Sequence, residues 1–130
     1  MIRRFIRRFI IVISSVLLIY IVLSLIFQVS LARNIDRMRH IVDKAYNTIR
    51  NSEIDRATNE GFISEEVAEV FHNIEKKYGK AKKFNIEEVR ASPFGTMGGA
   101  MVITERTSVV LTEEIQISGY RITGVQYKVN

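Results

Sequence analysis

Chemistry in a protein needs particular side chains at particular spacings, and few stretches of this sequence offer them. His40 and His72 fall on separate predicted helices, neither with partners at ligand spacing, so both read as ordinary surface or boundary residues rather than metal ligands. Glu65, Glu66 and Glu69 include a carboxylate pair four residues apart on one predicted helix, which a solvated face explains as well as acid–base work does. The run GTMGG at residues 95–99 has neither the lysine nor the Ser/Thr of a phosphate loop and does not fit the dinucleotide fingerprint, so it reads as a turn. No nucleophile-elbow pattern is present, and the lack of cysteine removes thiolate ligands, a Cys nucleophile and any disulfide framework. The expectation is a non-enzymatic protein with no catalytic residue, no metal, no cofactor and no small-molecule substrate.

Charge is what remains. KKYGKAKK, residues 76–83, places Lys76, Lys77, Lys80, Lys82 and Lys83 within eight positions. Such a run is most often a solvated helix end and loop; the alternative is a patch for an acidic partner, a polysaccharide or an anionic lipid surface. IRRFIRRFI, residues 2–10, places Arg3, Arg4, Arg7 and Arg8 in a repeated unit. At about 100° per residue these arginines occupy a helical arc of about 140°, and Ile2, Phe5, Ile6, Phe9 and Ile10 occupy the opposite one. The four arginines are the only charges in the first 32 residues, and they leave 15 basic side chains against 14 acids in the rest of the chain. The formal charge of +5 is therefore almost wholly terminal, and nucleic acid is not an expected partner.

The elements that carry these groups begin with FIIVISSVLLIYIVLSLIF, residues 9–27, an uncharged run of 19. At about 1.5 Å per residue it spans roughly 28 Å, close to the hydrocarbon thickness of a bilayer. It predicts a single-pass transmembrane helix, with the lipid bilayer as partner and Arg3, Arg4, Arg7 and Arg8 snorkelling at the phosphate level. SLA, residues 30–32, resembles a signal-cleavage site, but the apolar run exceeds the roughly 7 to 15 residues of such signals. Arg33, Arg37, Arg39 and Lys44 follow the span and nearly balance the basic tip; the short acid-free tail still favours a cytoplasmic N-terminus and an extracytoplasmic C-terminal domain.

Beyond the span no Gly or Pro occurs before Gly61, so one helix is predicted to run to about residue 58. Its seam, Leu31, Ile35, Met38, Val42, Ala45 and Ile49, has spacings of 4, 3, 4, 3 and 4, and either packs on the chain's own domain or meets a neighbouring copy. Gly61 suits a helix stop and Ser64 a new start; Val67, Val70, Phe71, Ile74 and Tyr78 predict a second helix that stops at Gly79. From Lys83 the apolar period becomes two, with a phase slip near Glu87 and Glu88 and another at Gly124. SPFGTMGG, residues 92–99, reads as a loop, followed by strand over residues 100–104 and 107–112, either as one long bent strand or as two, and a turn at Ser118 and Gly119. The expected fold is α+β: a long N-terminal helix, a second short helix and a small antiparallel sheet of three to four strands. Its divisions are a basic tip (1–8), the span (9–27), an amphipathic continuation (28–59) and a small head (60–130).

This layout, with LARNIDRMRHIVDKAYNTIR after the span, then ISEEVAEVFHNIEKKYG, FNIEEVRASPFG and GYRITGVQYKV, resembles the type IV pilin plan. Within that group it is most similar to the small TadE-like and Tad-pilus-associated pilins. The resemblance implies a bacterial structural subunit that waits in the inner membrane and assembles through its hydrophobic helix, with copies of itself or other pilin-like proteins, into a surface filament or secretion apparatus. Such proteins carry a Gly or Ala before a peptidase cut and an early glutamate, whereas here no Gly precedes Gly61 and no acid precedes Asp36. That departure favours a minor, pseudopilin-like or accessory role. The alternative is a bitopic accessory protein whose extracytoplasmic head binds a partner in a larger membrane complex.

Overall fold

The computed structural model describes residues 2–92 and 97–130. Its helices are α1 (Ile2–Asn51), α2 (Ile54–Asn59) and α3 (Glu65–Tyr78), followed by strands β1 (Lys83–Ala91), β2 (Met97–Glu105), β3 (Val110–Ser118) and β4 (Arg121–Val129). The α+β class is as expected, with four strands.

α1 is shorter than the predicted helix. The chain leaves the helix after Ser52, and the backbone of Glu53 is extended (φ −118°, ψ 158°). Periodicity explains the break. Met38 and Ile49 lie within about 20° of one another around the helix, but Ile54 would fall about 160° from Met38, on the side away from the core. The kink lets both Ile54 and Ala57 be buried in α2. α2 ends in a Schellman motif, with Gly61 at φ +81° and hydrogen bonds from Gly61 N to Thr58 O (3.1 Å) and Phe62 N to Ala57 O (3.0 Å).

α3 has the predicted ends. Ser64 Oγ accepts from Val67 N at 3.3 Å, Glu65 and Glu66 occupy the positive end of the helix dipole, and Lys76 and Lys77 the negative end. Gly79 stops it at φ +87°, and a Cβ there would also lie 2.5 Å from Thr107 Oγ1.

The strands form an antiparallel meander in the order β1-β2-β3-β4. Both predicted slips are bulges. Pairing jumps between Ile86 and Glu88 on β1, and between Gln116 and Ile117 of β3, where Gln116 faces Gly124 and Ile117 faces Ile122. Two loop boundaries are corrected. Met97, Gly98 and Gly99 belong to β2 rather than to a loop, and residues 93–96 lie outside the described residues. Side chains there would meet the Arg90 carbonyl from Gly98 and the Ile115 carbonyl from Gly99, so these glycines allow close strand approach instead of marking a turn. Residues 107–109, predicted to open the strand over 107–112, instead form the β2–β3 turn with Arg106, closed by Arg106 N to Val109 O at 2.9 Å. Gly119 (φ +68°) is the first central residue of the two-residue β3–β4 turn.

One core joins the far half of α1 to the rest: Met38, Ile41, Val42, Ala45, Tyr46 and Ile49 pack with α2, α3 and the inner face of the sheet. The head therefore begins within α1, not at residue 60. β1 runs antiparallel alongside that half, since Phe84 stacks near Tyr46 (5.4 Å) and Arg50 (5.7 Å), while Asn34 Nδ2 donates to Ser92 O (2.7 Å). Sixteen helical residues and eight strand residues cover about 24 and 26 Å, so the match holds along the whole strand. Strands aligned with α1 give the head a proximal end beside the apolar half of that helix, at the β3–β4 turn, and a distal end at the β2–β3 turn.

Candidate functional site

The two halves of α1 present opposite surfaces. Its most apolar 18-residue window has no buried residue, and the helix is long and apolar enough to cross a membrane. Phe9, Ile10, Leu17, Leu18, Leu25 and Ile26 are all more than half exposed. Ser15 turns its hydroxyl onto Ile11 O at 2.8 Å, so it places no unsatisfied donor on this surface. Arg3, Arg4, Arg7 and Arg8 are exposed on the first turns of the same helix, and Ile2 and Phe5 are exposed beside them.

The seam divides. Met38, Val42, Ala45 and Ile49 are buried in the chain's own core, whereas Leu31 and Ile35 are half-buried at its edge. Four of the six are thus already used and offer nothing to another copy. Ile41 and Tyr46 join them, which makes the buried stripe wider than the predicted seam and typical of a helix packed on a sheet.

The lysines lie at the distal end. All five are exposed, but Lys80 donates to Ser52 O at 2.7 Å, capping the end of α1, and Lys77 lies over the Tyr78 ring at 5.2 Å. From residue 27 to residue 51 the helix rises about 36 Å, which places this patch far from any bilayer that residues 9–27 cross.

Neither histidine is isolated. His72 Nε2 lies 3.1 Å from Asp55 Oδ1, joining α3 to α2 at the surface. His40 lines an open hollow of 590 Å³ between α1 and β1, with Asp36, Asp43, Arg50 and Phe84 among its walls. Among the described residues no three His, Cys, Asp or Glu side chains converge as a metal site would require.

Sequence reasoning missed one polar cluster. Arg106 and Glu113 are buried and paired at 3.4 Å (Nη2 to Oε1); Arg106 Nε also donates to Thr104 Oγ1 (3.3 Å) and Nη1 to Gly79 O (2.8 Å). The guanidinium thereby ties the β2–β3 turn to the end of α3. Burial pushes the Glu113 carboxyl above its usual range, against the opposing pull of Arg106, Thr104 and Tyr46. Burial likewise raises the Tyr46 phenol well above its ordinary value, with Glu113 adding to the rise. Tyr46 Oη and Glu113 Oε2 close no hydrogen bond of normal geometry, although the hydroxyl favours the ionised carboxylate. The larger hollows of the surface are lined by other residues, so the cluster acts as an internal tie. Its signal lay in the alternation Leu111, Glu113, Ile115, Ile117, which places a glutamate at a core position of β3.

Among the described residues no helix lies over the outer face of the sheet. Across it run Glu88, Met101, Glu114 and Gln126, then Asn85, Ile103, Thr112 and Lys128, a mixed polar surface with two apolar side chains in the middle. A hollow of 420 Å³ opens on the sheet at Gly98 and Gly99, bordered by Arg90, Glu114 and Gln116.

No protein-family model, curated protein or solved structure matches this chain.

Proposed function

We propose that the chain is a non-enzymatic, single-pass membrane subunit of pilin-like or pseudopilin-like design, assembling with copies of itself or related chains through the apolar half of α1. The supporting observation is the continuity of α1: the same uninterrupted helix exposes its apolar side chains over residues 9–27 and enters the head's core from Met38 onward. Such a helix transmits position rigidly from anchor to head, as a subunit of a filament or secretion apparatus requires. The N-terminus is cytoplasmic and the head extracytoplasmic in this reading, following the basic tip. Because the chain has no cysteine, single cysteines placed at residues 10–26 report contacts directly. Disulfide cross-linking between copies, with a period near 3.6 residues, is the expected result; absence of cross-links to any copy or other pilin-like chain at all positions contradicts the proposal.

A second reading is favoured by the use of four seam residues within the chain's own core and by the uncovered sheet face. In it the head, on a bitopic anchor, binds a protein partner of a larger membrane complex. Replacing residues 9–27 by an unrelated apolar helix separates the two, since head-mediated capture of the partner survives that exchange and helix-mediated assembly does not.

A further inference from the structure

From the geometry of the head's proximal end we infer that the β3–β4 turn is a second point of membrane contact, seated on the headgroup layer of the bilayer that the chain itself spans. The inference rests on the anchor half of the function proposed above and not on pilin-like assembly.

Distance along α1 sets the depth. Asn34, seven residues past Phe27, stands about 10 Å above the hydrocarbon edge, and Arg37 about 15 Å above it. The headgroup layer occupies about 5 to 8 Å of each leaflet. Asn34 holds the Ser92 carbonyl at 2.7 Å, and Ser92 N bonds Met97 O at 2.8 Å, so the β1–β2 end of the sheet is fixed just above that layer. Helical side chains lean toward the N-terminus, here toward the membrane, and the Arg37 guanidinium lies 6.0 Å from the centre of the Tyr120 ring. Ser118 faces Met97 on one side and Arg121 on the other, so Gly119 and Tyr120 extend past that end of the sheet, on its membrane side.

The chemistry at this end fits the interface. Tyr120 is 69% exposed and Met97 is 64% exposed, although the molecule has a core that accommodates other side chains of their size. Tyrosine concentrates where an apolar ring meets hydrated headgroups; Arg37 lies near this ring, Arg121 follows it in the chain and Arg33 stands one turn nearer the membrane on α1, each a donor for phosphate. Asp36 lies on the same stretch of α1, and Glu65 and Glu66 open α3, whose Ser64 N–H bonds the Ile122 carbonyl one residue from Arg121. The local charge is thus balanced, and the contact does not require anionic lipid.

The chain contains no tryptophan, so single substitutions place one indole at a chosen depth. Three variants of the full chain, Tyr20→Trp within the span, Tyr120→Trp in the turn and Ser108→Trp in the distal β2–β3 turn, are reconstituted in two sets of phosphatidylcholine vesicles, one with acyl chains brominated near the headgroup and one near the bilayer centre. The expected result is strong quenching at position 20 by the deep bromines, and at position 120 a blue-shifted emission with several-fold greater quenching by the shallow bromines than at position 108. Quenching at position 120 equal to that at position 108, with position 20 quenched, overturns the contact alone. A blue shift at position 120 without quenching by bromine also overturns it, because protein then covers the turn. Absence of quenching at position 20 overturns the anchor and the contact with it.

Discussion

The two halves of α1 are both rich in large apolar side chains, yet residues 9–27 bury none within the chain while Met38, Val42 and Ile49 are almost completely enclosed. The difference lies in what interrupts them. Past residue 32 the apolar positions are separated by Arg33, Asp36, Arg37, Arg39, Asp43 and Lys44, so one face alone is apolar and the chain folds back to cover it. The earlier half is apolar all round, and no single sheet could enclose it. A helix of that kind needs lipid or several neighbours.

Substitutions test this division, starting with the largest expected effect. Arg106→Ala strands the Glu113 carboxylate in the core and is expected to destabilise the head by about 3 to 5 kcal/mol. Denaturant unfolding in micelles measures the loss, while sedimentation with membranes stays unchanged. Met38→Ala empties a fully buried site and is expected to cost the head about 2 to 5 kcal/mol. Leu18→Ala, on the same helix, is expected to change head stability by less than about 0.5 kcal/mol. Equal effects at the two positions would mean that both halves of α1 pack on the head. Ser64→Ala removes the cap of α3 and is expected to cost about 1 kcal/mol, read from the same unfolding curves.

Glu113 adds a pH response confined to the head. Its folded carboxyl titrates above the unfolded value, so its stabilising contribution is fully present below the ordinary carboxyl range and is lost as pH rises through the raised folded value. Glu113→Gln is expected to flatten that part of the stability profile while Arg106 keeps its bond to Gly79 O. A profile unchanged by the substitution would assign the slope to Glu75, whose carboxyl burial also raises.

Much of this architecture was legible in the sequence because it rests on local rules. Ser64 and Gly79 bracket α3, and the phase slips at Glu87 and Gly124 report bulges, since each follows from capping or period alone. The break at Ser52 was not legible, because it is imposed by Ile54 needing a core that exists only once α3 and the sheet have assembled. Gly98 and Gly99 misread as a loop for a related reason: close strand approach and turn geometry both select glycine. The Arg106–Glu113 tie has half its signal in the β3 alternation and half in a turn residue whose partner, the Gly79 carbonyl, is 27 positions away. The lysine block was visible as charge, but its distance from the bilayer followed only from the length of α1 and the direction of β1.

The central claim is that one helix is lipid-embedded in its first half and core-embedded in its second. Its most direct test is maleimide labelling of single cysteines along residues 9–50 of the full chain in membranes, with and without urea. The account predicts no labelling over residues 9–27 in either condition, labelling at 39 and 43 in both, and labelling at 38, 42, 45 and 49 only in urea. Labelling throughout residues 9–27 without denaturant, or at 38 and 42 in the native protein, would contradict it.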